Sequence, residues 1–440
     1  MIQRIALLFV ITGVGHGFSI IALKFIAQRG QATQVAGIAE IESITQLMLG
    51  LIGFGMQTDA IRNISQTEKW EEKLGDAQTA QSTLSIFLLM IGIFSFYKGE
   101  YLYFMMAPIL ASSIDYALYA RGYSVIGALV ALVRVVVPLL LGIISTYNWP
   151  EYILHAYVIG IVLAYLSTNT FMSLFLRVQV FYLPSFNSLQ LYLKTIPLGI
   201  INLCFYFFGL GFLLFTQLFY QAEELVVSFL ALKFYLVYKG AIRVIHQAFV
   251  NQMVDEKICL GIDQICIMIG LAFFGSVVVF PNTFVSALFG TQFLNNQNFF
   301  LFLGASALIF SIFSSATTRV LLERKDIPFM KIAIGSVGIS AVLLLILFQF
   351  SKKVEMITLS LLAGELFFSC SLAISFFNKT DVWNRISFLM KCALGLCLPI
   401  LAKIVFGESL VAYLASFSMM GLILLLFFHK KFALPVSKTL

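Results

Sequence analysis

The chain is a near-continuous succession of apolar runs. From Ile5 to Phe428, stretches of roughly 18 to 27 mostly apolar residues follow one another, separated by short polar breaks. A run of about 18 or more apolar residues is long enough to cross the roughly 30 Å hydrocarbon core of a bilayer as a helix. One such run would be an anchor. About fourteen of them predict a polytopic membrane protein whose work is done within or across a bilayer.

The runs fall at 4–27, 37–61, 80–97, 101–120, 123–146, 152–176 and 192–219, then at 225–250, 258–280, 299–320, 329–350, 355–377, 388–406 and 410–429. In lipid every backbone amide needs an internal partner, which predicts helices throughout. Only the breaks at 62–79, 177–191, 281–298 and 378–387 exceed a handful of residues, and none has room for an extra soluble domain. The fold class is therefore all-α, with about 14 transmembrane helices, or 12 on the shorter count.

Composition agrees. The chain is 60% hydrophobic and 11% charged, against about 25% charged in soluble domains. Its formal net charge of +7 does not point to nucleic acid, because the basic residues sit at the ends of apolar runs. There the positive-inside rule and anionic head groups explain them. With the N-terminus inside, the inner breaks hold Arg4, Arg62, Lys69, Lys73, Arg121, Arg177, Lys194, Lys257, Arg319, Arg324, Lys325, Lys331, Lys379, Arg385, Lys391, Lys430, Lys431 and Lys438. The outer breaks hold Arg29, Lys98, Lys352 and Lys353, about eighteen against four. Both termini are expected on the cytoplasmic side.

The first run is longer than a signal-peptide core and is expected to stay as the first helix. Cys204, Cys259, Cys266, Cys370, Cys392 and Cys397 form no CxxC pair and stand beside no histidine at metal-ligand spacing. They are expected to act as small hydrophobes, with no metal site. Six runs precede the break at 177–191 and six follow before Asn378. This divides the chain into 1–185, an N-terminal lobe, 186–377, a C-terminal lobe, and 378–440, an additional helix pair.

Ionisable side chains inside membrane helices cost several kcal/mol and are functional candidates by default. Lys24, Arg134 and Lys233 lie within runs. Lys239, Arg243 and His246 follow at spacings of four and three, which predicts one helix face suited to phosphate oxygens; snorkelling to the inner surface is the plainer reading of Lys239 and Arg243. Asp59 stands three residues before Arg62 and is expected to pair with it. Asp115 is expected to meet Arg121 or a cytoplasmic cation, and Glu365 sits near the middle of a late run. Asp115, Glu365 and Asp59 are the candidates for cation coupling, which needs an embedded carboxylate. Glu40 and Glu42 open the second run, and His16 lies mid-run. Of the 45 Phe and 17 Tyr residues several crowd the seventh and eighth runs, including Phe205-Tyr206-Phe207-Phe208 and Phe234-Tyr235.

No GxSxG, HExxH or G-x-x-x-x-G-K-[ST] motif occurs, so neither hydrolytic chemistry nor ATP hydrolysis by this chain is expected. The break Pro281–Asn298 carries no charged residue, which argues against an enzyme working on the outer face.

The segment FIAQRGQATQVAGIAEIESITQLMLGLIGFGMQTDAIRNIS, Phe25 to Ser65, resembles the start of polysaccharide flippases of the MOP (multidrug/oligosaccharidyl-lipid/polysaccharide) exporter superfamily, the O-antigen and capsule (Wzx-type) family. The matching positions are Arg29, Gly37, Gly53, Gly55, Ala60 and Arg62. A second patch, Leu288-Phe289-Gly290 through Arg319 to Lys325, is similar to that family's "LFG" followed by a helix and a basic turn. The resemblance implies two pseudo-symmetric lobes alternating access around a cationic central cavity in a bacterial inner membrane. It implies outward movement of undecaprenyl-pyrophosphate-linked oligosaccharide, with Lys24, Arg134, Lys233, Lys239 and Arg243 meeting the pyrophosphate. No cofactor is implied beyond H+ or Na+ as coupling ion. Membrane lipids, a polysaccharide polymerase and a chain-length regulator are the expected partners, and nucleic acid is not. The chain departs from the family at Thr216 and Gln217, where many members have an acid in the seventh helix. The rival expectations are a cation-coupled multidrug exporter of the same superfamily and an integral-membrane O-antigen polymerase.

Overall fold

The structure is a computed structural model that describes residues 2–29, 32–64, 67–97, 102–220, 222–249, 253, 255–288, 290–291, 294 and 297–428. Lys98, Phe289, Lys430, Lys431 and Lys438 lie outside the described residues. Among the described residues there is helix and loop and no strand.

The helices are α1 (Ile2–Gln28), α2 (Ala32–Gly53), α3 (Met56–Ile64), α4 (Trp70–Tyr97), α5 (Ala107–Ala111), α6 (Asp115–Ala120), α7 (Ser124–Asn148) and α8 (Ile153–Leu176). Next come α9 (Gln190–Lys194), α10 (Ile196–Tyr206), α11 (Phe212–Thr216), α12 (Ala222–Phe249), α13 (Glu256–Val279) and α14 (Pro281–Leu288). The chain continues with α15 (Gln297–Ile312), α16 (Ser314–Leu322), α17 (Asp326–Phe350), α18 (Glu355–Phe376), α19 (Lys379–Ala393), α20 (Cys397–Phe406) and α21 (Leu410–Phe428).

Among the described residues eleven helical stretches are long and apolar enough to cross a membrane, and α15 with α16, bent by 44°, makes a twelfth. The two remaining runs of the expected fourteen are the segment 101–120, which is broken into a 3-10 turn, α5 and α6, and α21 at the C-terminal end. Three of the expected breaks carry helix instead: α4 begins at Trp70, well before its apolar part, α14 opens the break at 281–298, and α19 covers 379–393.

Contacts divide the chain into one compact unit over Met1–Leu232 and another over Lys233–Leu440, the division falling inside α12. In the first unit Met56, Ala60, Ile64, Leu74, Ala77, Ile114, Tyr116, Met172 and Leu176 make a buried core that ties α3, α4, α6 and α8 together. In the second, Phe388 and Cys392 of α19 and Met420 of α21 bury against Ile267 and Leu271 of α13. The C-terminal helices therefore share a core with that unit.

Breaks in spanning helices leave amides and carbonyls unpaired, which lipid does not tolerate unless protein groups pair them. Three of the breaks are stitched by a side chain from another element. Between α2 and α3, Phe54 takes a positive φ of 32°. The Ile52 carbonyl accepts from the Tyr192 hydroxyl (2.5 Å) and the Phe54 carbonyl from Asn202 Nδ2 (2.5 Å). Gly55 is required there: a Cβ would sit 2.3 Å from the Thr195 carbonyl oxygen and 2.8 Å from the Gly199 nitrogen. Between α5 and α6, Gln78 Nε2 donates to the Ser113 carbonyl (2.9 Å) and Asn169 Nδ2 to that of Ile109 (2.9 Å). The third break, between α15 and α16, is part of the site described next.

Candidate functional site

Three polar clusters are buried in the apolar bundle, one in the first unit and two in the second. The first is built on Arg134 of α7, whose side chain is 9% exposed. Its guanidinium donates from Nε to Thr168 Oγ1 (3.1 Å) and from Nη2 to Ser113 Oγ and Asn169 Oδ1 (2.8 Å each). It stacks over the Tyr165 ring at 4.2 Å and lies 3.6 Å from Asp115 Oδ2. Ser113 in turn donates to Asp115 Oδ1 (2.8 Å). Asp115 thus meets Arg134, and not the expected Arg121, whose guanidinium lies over the Trp70 ring. A guanidinium with this many partners acts first as a clamp on the α5–α6 break.

The second cluster joins two residues that sequence reasoning assigned to different roles. Lys239 Nζ of α12 lies 2.7 Å from Glu365 Oε1 of α18, with side-chain exposures of 18% and 2%. The Tyr235 hydroxyl donates to the same carboxylate oxygen (2.7 Å). The ammonium also lies over the Tyr235 and Phe310 rings, at 4.6 and 4.9 Å. The cation assigned to phosphate and the acid assigned to coupling form one ion pair.

The third cluster was not foreseen. Asp263 of α13 and Arg385 of α19 are wholly buried, with Arg385 Nε 2.7 Å from Asp263 Oδ2. The carboxylate also accepts from the Ser315 amide and hydroxyl (2.7 Å each) and from the Ser314 hydroxyl (3.1 Å). These residues open α16, so Asp263 caps from another helix the N-terminus exposed by the 44° bend. Buried His246 lies 3.3 Å from Ser314 Oγ and 3.2 Å from Thr318 Oγ1. Arg385 was expected in a polar inner break; α19 instead carries it into the core, over the Phe377 ring at 4.2 Å. Toward the expected cytoplasmic end, Glu256 pairs with Arg319, and Glu323 bridges Arg319 (2.8 Å) and Lys325 (2.7 Å). Hydrogen bonding from Lys325, reinforced by Arg319 and partly offset by burial, holds the Glu323 carboxyl below its ordinary range.

The other candidates are dispersed. Lys24 and Lys233 are half-buried on α1 and α12. The Lys239–Arg243–His246 stripe divides: Lys239 is paired, His246 is buried among hydroxyls and Arg243 is exposed. Asp59 accepts from Asn63 Nδ2 (2.9 Å) and Glu42 from the Tyr157 hydroxyl (2.6 Å). Arg29 lies over the Phe25 and Tyr147 rings at 5.2 and 4.7 Å. Gly53 and Gly55 flank the knuckle between α2 and α3, and Arg62 ends α3. Thr216 is buried with its hydroxyl on the Leu213 carbonyl (2.8 Å).

This arrangement of helices is similar in fold to solved structures of MOP-superfamily transporters. The inward-closed lipid II flippase MurJ superposes with a TM-score of 0.69 at 13% identity, over 97% of this chain and 99% of that one. A MATE protein solved in complex with MaL6 gives 0.57 at 15% identity, over 88% and 96%. A MOP-superfamily transporter from Pyrococcus furiosus, described as having a binding pocket of reversed polarity, gives 0.53 at 14% identity, over 87% and 95%. No protein-family profile matches the sequence, and no curated protein matches it. The chain shares the fold of these structures, and its apolar helices make it a multi-pass membrane protein.

Proposed function

We propose that this protein is a flippase for a lipid-linked, anionic oligosaccharide, working in a bacterial inner membrane in O-antigen or capsule synthesis. The observation that carries the reading is the state of the embedded acids. Asp115, Glu365 and Asp263 are each engaged by a basic partner, namely Arg134, Lys239 and Arg385. A multidrug exporter holding a cation would want such carboxylates to spare, and among those named here Glu42 of α2 is the one whose partner is a hydroxyl, that of Tyr157. The bases Lys233, Lys239 and Arg243, spaced along α12, suit a pyrophosphate. The superposition on the lipid II flippase along nearly the whole of both chains supports the same class of substrate.

In this reading the undecaprenyl-type tail stays in the bilayer while Lys239, with Lys233 and Arg243 on the same helix, neutralises the pyrophosphate. Phosphate competes with Glu365 for the Lys239 ammonium, and the displaced carboxylate takes up the coupling H+ or Na+. Asp115 and Asp59 are the secondary candidates for that ion. Arg134 keeps the first unit in shape. A polymerase and a chain-length regulator receive the product outside.

The test is the fate of lipid-linked oligosaccharide in cells depleted of this protein, with its leaflet read by enzymatic access to the sugar. Complete single units accumulating toward the cytoplasm are expected. Single units stranded on the outer face would replace this reading with a polymerase, and unchanged pools with altered drug resistance would replace it with a multidrug exporter.

A further inference from the structure

The loop 177–191, between α8 and α9, is shaped as a wedge against α4. After Arg177 turns the chain in a left-handed conformation (φ 57°), the Tyr182 ring packs on the backbone of α4 at Gly75. Three residues later the Ser185 amide donates to Thr83 Oγ1 (2.8 Å), whose hydroxyl lies 3.1 Å from the Ser185 carbonyl oxygen. Phe186 meets Phe87 edge-on, with ring centroids 6.2 Å apart. The chain then returns, and Leu191 and Tyr192 pack on the core that contains Leu74 and Ala77.

At about 1.5 Å per helical residue, the step from Gly75 to Thr83 carries the loop tip roughly 12 Å along α4. The sequence of α4 changes there. Residues up to Thr83 are largely polar, and from Leu84 onward they are almost wholly apolar. The tip therefore stands at the height where α4 enters hydrocarbon. Its side chains have no cover: Leu183 is 88% exposed and Phe186 76%. The Ser185 amide, donating to Thr83, ties the tip to α4 at that height. Exposed Arg177 and Lys194 mark the two ends of the loop, on the side the charge count assigns to the cytoplasm.

We propose that this loop is a membrane anchor, inserting Leu183 and Phe186 at the acyl boundary of the inner leaflet and holding anionic head groups on Arg177 and Lys194. Apolar tips rimmed by basic residues bind membrane surfaces through these two forces together. The anchor depends on the first unit alone and stands whether or not the substrate is an oligosaccharide.

The experiment places p-benzoylphenylalanine at Leu183 in the full-length protein, reconstituted in nanodiscs of phosphatidylethanolamine and phosphatidylglycerol. Intact-mass analysis follows irradiation. A phospholipid adduct is expected, with phosphatidylglycerol enriched roughly fivefold over its share, the factor of about one basic residue near an anionic surface. The enrichment disappears in Arg177→Glu/Lys194→Glu. The same label at Leu174, 73% exposed on α8, gives adducts in bulk proportion. The proposal is overturned if position 183 gives no lipid adduct while position 174 does, or if it crosslinks a second copy of the chain. It is equally overturned if the adducts follow bulk composition and ignore the charge reversals.

Discussion

Arg385 Nε lies 2.7 Å from Asp263 Oδ2, and neither side chain reaches solvent. The pair docks α19 onto α13 and lets Asp263 cap α16 across the bend. Removing one member of a buried pair leaves an uncompensated charge, which costs about 3–5 kcal/mol. Arg385→Met and Asp263→Leu are each expected to destabilise the purified protein by that order. The double variant should lose less than the sum of the two, because no charge is stranded in it. Denaturant melts of the four proteins give the coupling energy, and a sum that is simply additive would show that the two groups act independently.

The Lys239–Glu365 pair predicts a different pattern. Lys239→Met strands Glu365 and removes the cation proposed to meet phosphate, so flipping should fall at least about tenfold, the worth of roughly 1.4 kcal/mol of lost binding. Glu365→Gln keeps an acceptor for the Tyr235 hydroxyl but gives up the charge that restrains Lys239. It should bind a lipid pyrophosphate more tightly yet turn over more slowly. Binding to the purified protein and flipping in proteoliposomes separate the two effects. Equal binding in Glu365→Gln and the parent would remove competition from the mechanism.

How much of this was legible in the sequence follows from what each feature depends on. Spanning runs are set by hydropathy, a local property, and all fourteen recur as helix, intact or broken. Arg134, Lys239 and Glu365 were visible because a charge in an apolar run is conspicuous in one dimension. Asp263 lies in such a run as well, near its start, and its partners Ser315 and Arg385 are distant in the sequence. Arg385 was hidden for a different reason. The stretch Asn378–Arg385 reads as a polar loop, and only its packing against α13, more than a hundred residues earlier, makes it core. The helix breaks were unreadable too, since what permits them is a distant donor such as Tyr192, Asn202 or Gln78.

Gly55 tests one of those breaks. The atoms that a Cβ would meet there are backbone atoms of the α9–α10 junction, at 2.3 and 2.8 Å, and no rotamer change can move them aside. Overpacking of this kind costs about 1–3 kcal/mol. Gly55→Ala should lie at the upper end of that range or fail to accumulate. Gly122→Ala makes the contrast, since nothing lies within 4 Å of its Cβ position and only its positive φ of 83° opposes it. Expression and thermal melts of the two variants check the order.

Glu323 gives a pH dependence whose sign can be worked out. Lys325 and Arg319 hold its folded pKa below the ordinary value of 4.5. Its contribution is therefore fully present above that value and is lost as pH falls through the lower folded one. Both partners are partly exposed, so the effect should stay below about 1 kcal/mol. Glu323→Gln is expected to be slightly less stable than the parent at about pH 7, and the gap should close on acidification to about pH 3. A gap that widens on acidification would reverse the assignment.

Arg134 decides between gripping substrate and holding the helix break. Its planar fork serves Thr168, Ser113 and Asn169 at once, a geometry that a lysine ammonium cannot reproduce. If the residue only met phosphate, Arg134→Lys would leave the melting temperature alone and weaken substrate binding modestly. The partners it has predict otherwise: the Asn169 and Ser113 groups lose their donor in a buried site, at about 1–3 kcal/mol. Arg134→Lys should therefore lower stability and export together, while Asp115→Asn, touching the guanidinium at 3.6 Å from a carboxylate 34% exposed, should cost less. Melting temperatures set beside polymer export in the same cells test this. An Arg134→Lys protein of unchanged stability with export lost would return the residue to the substrate path.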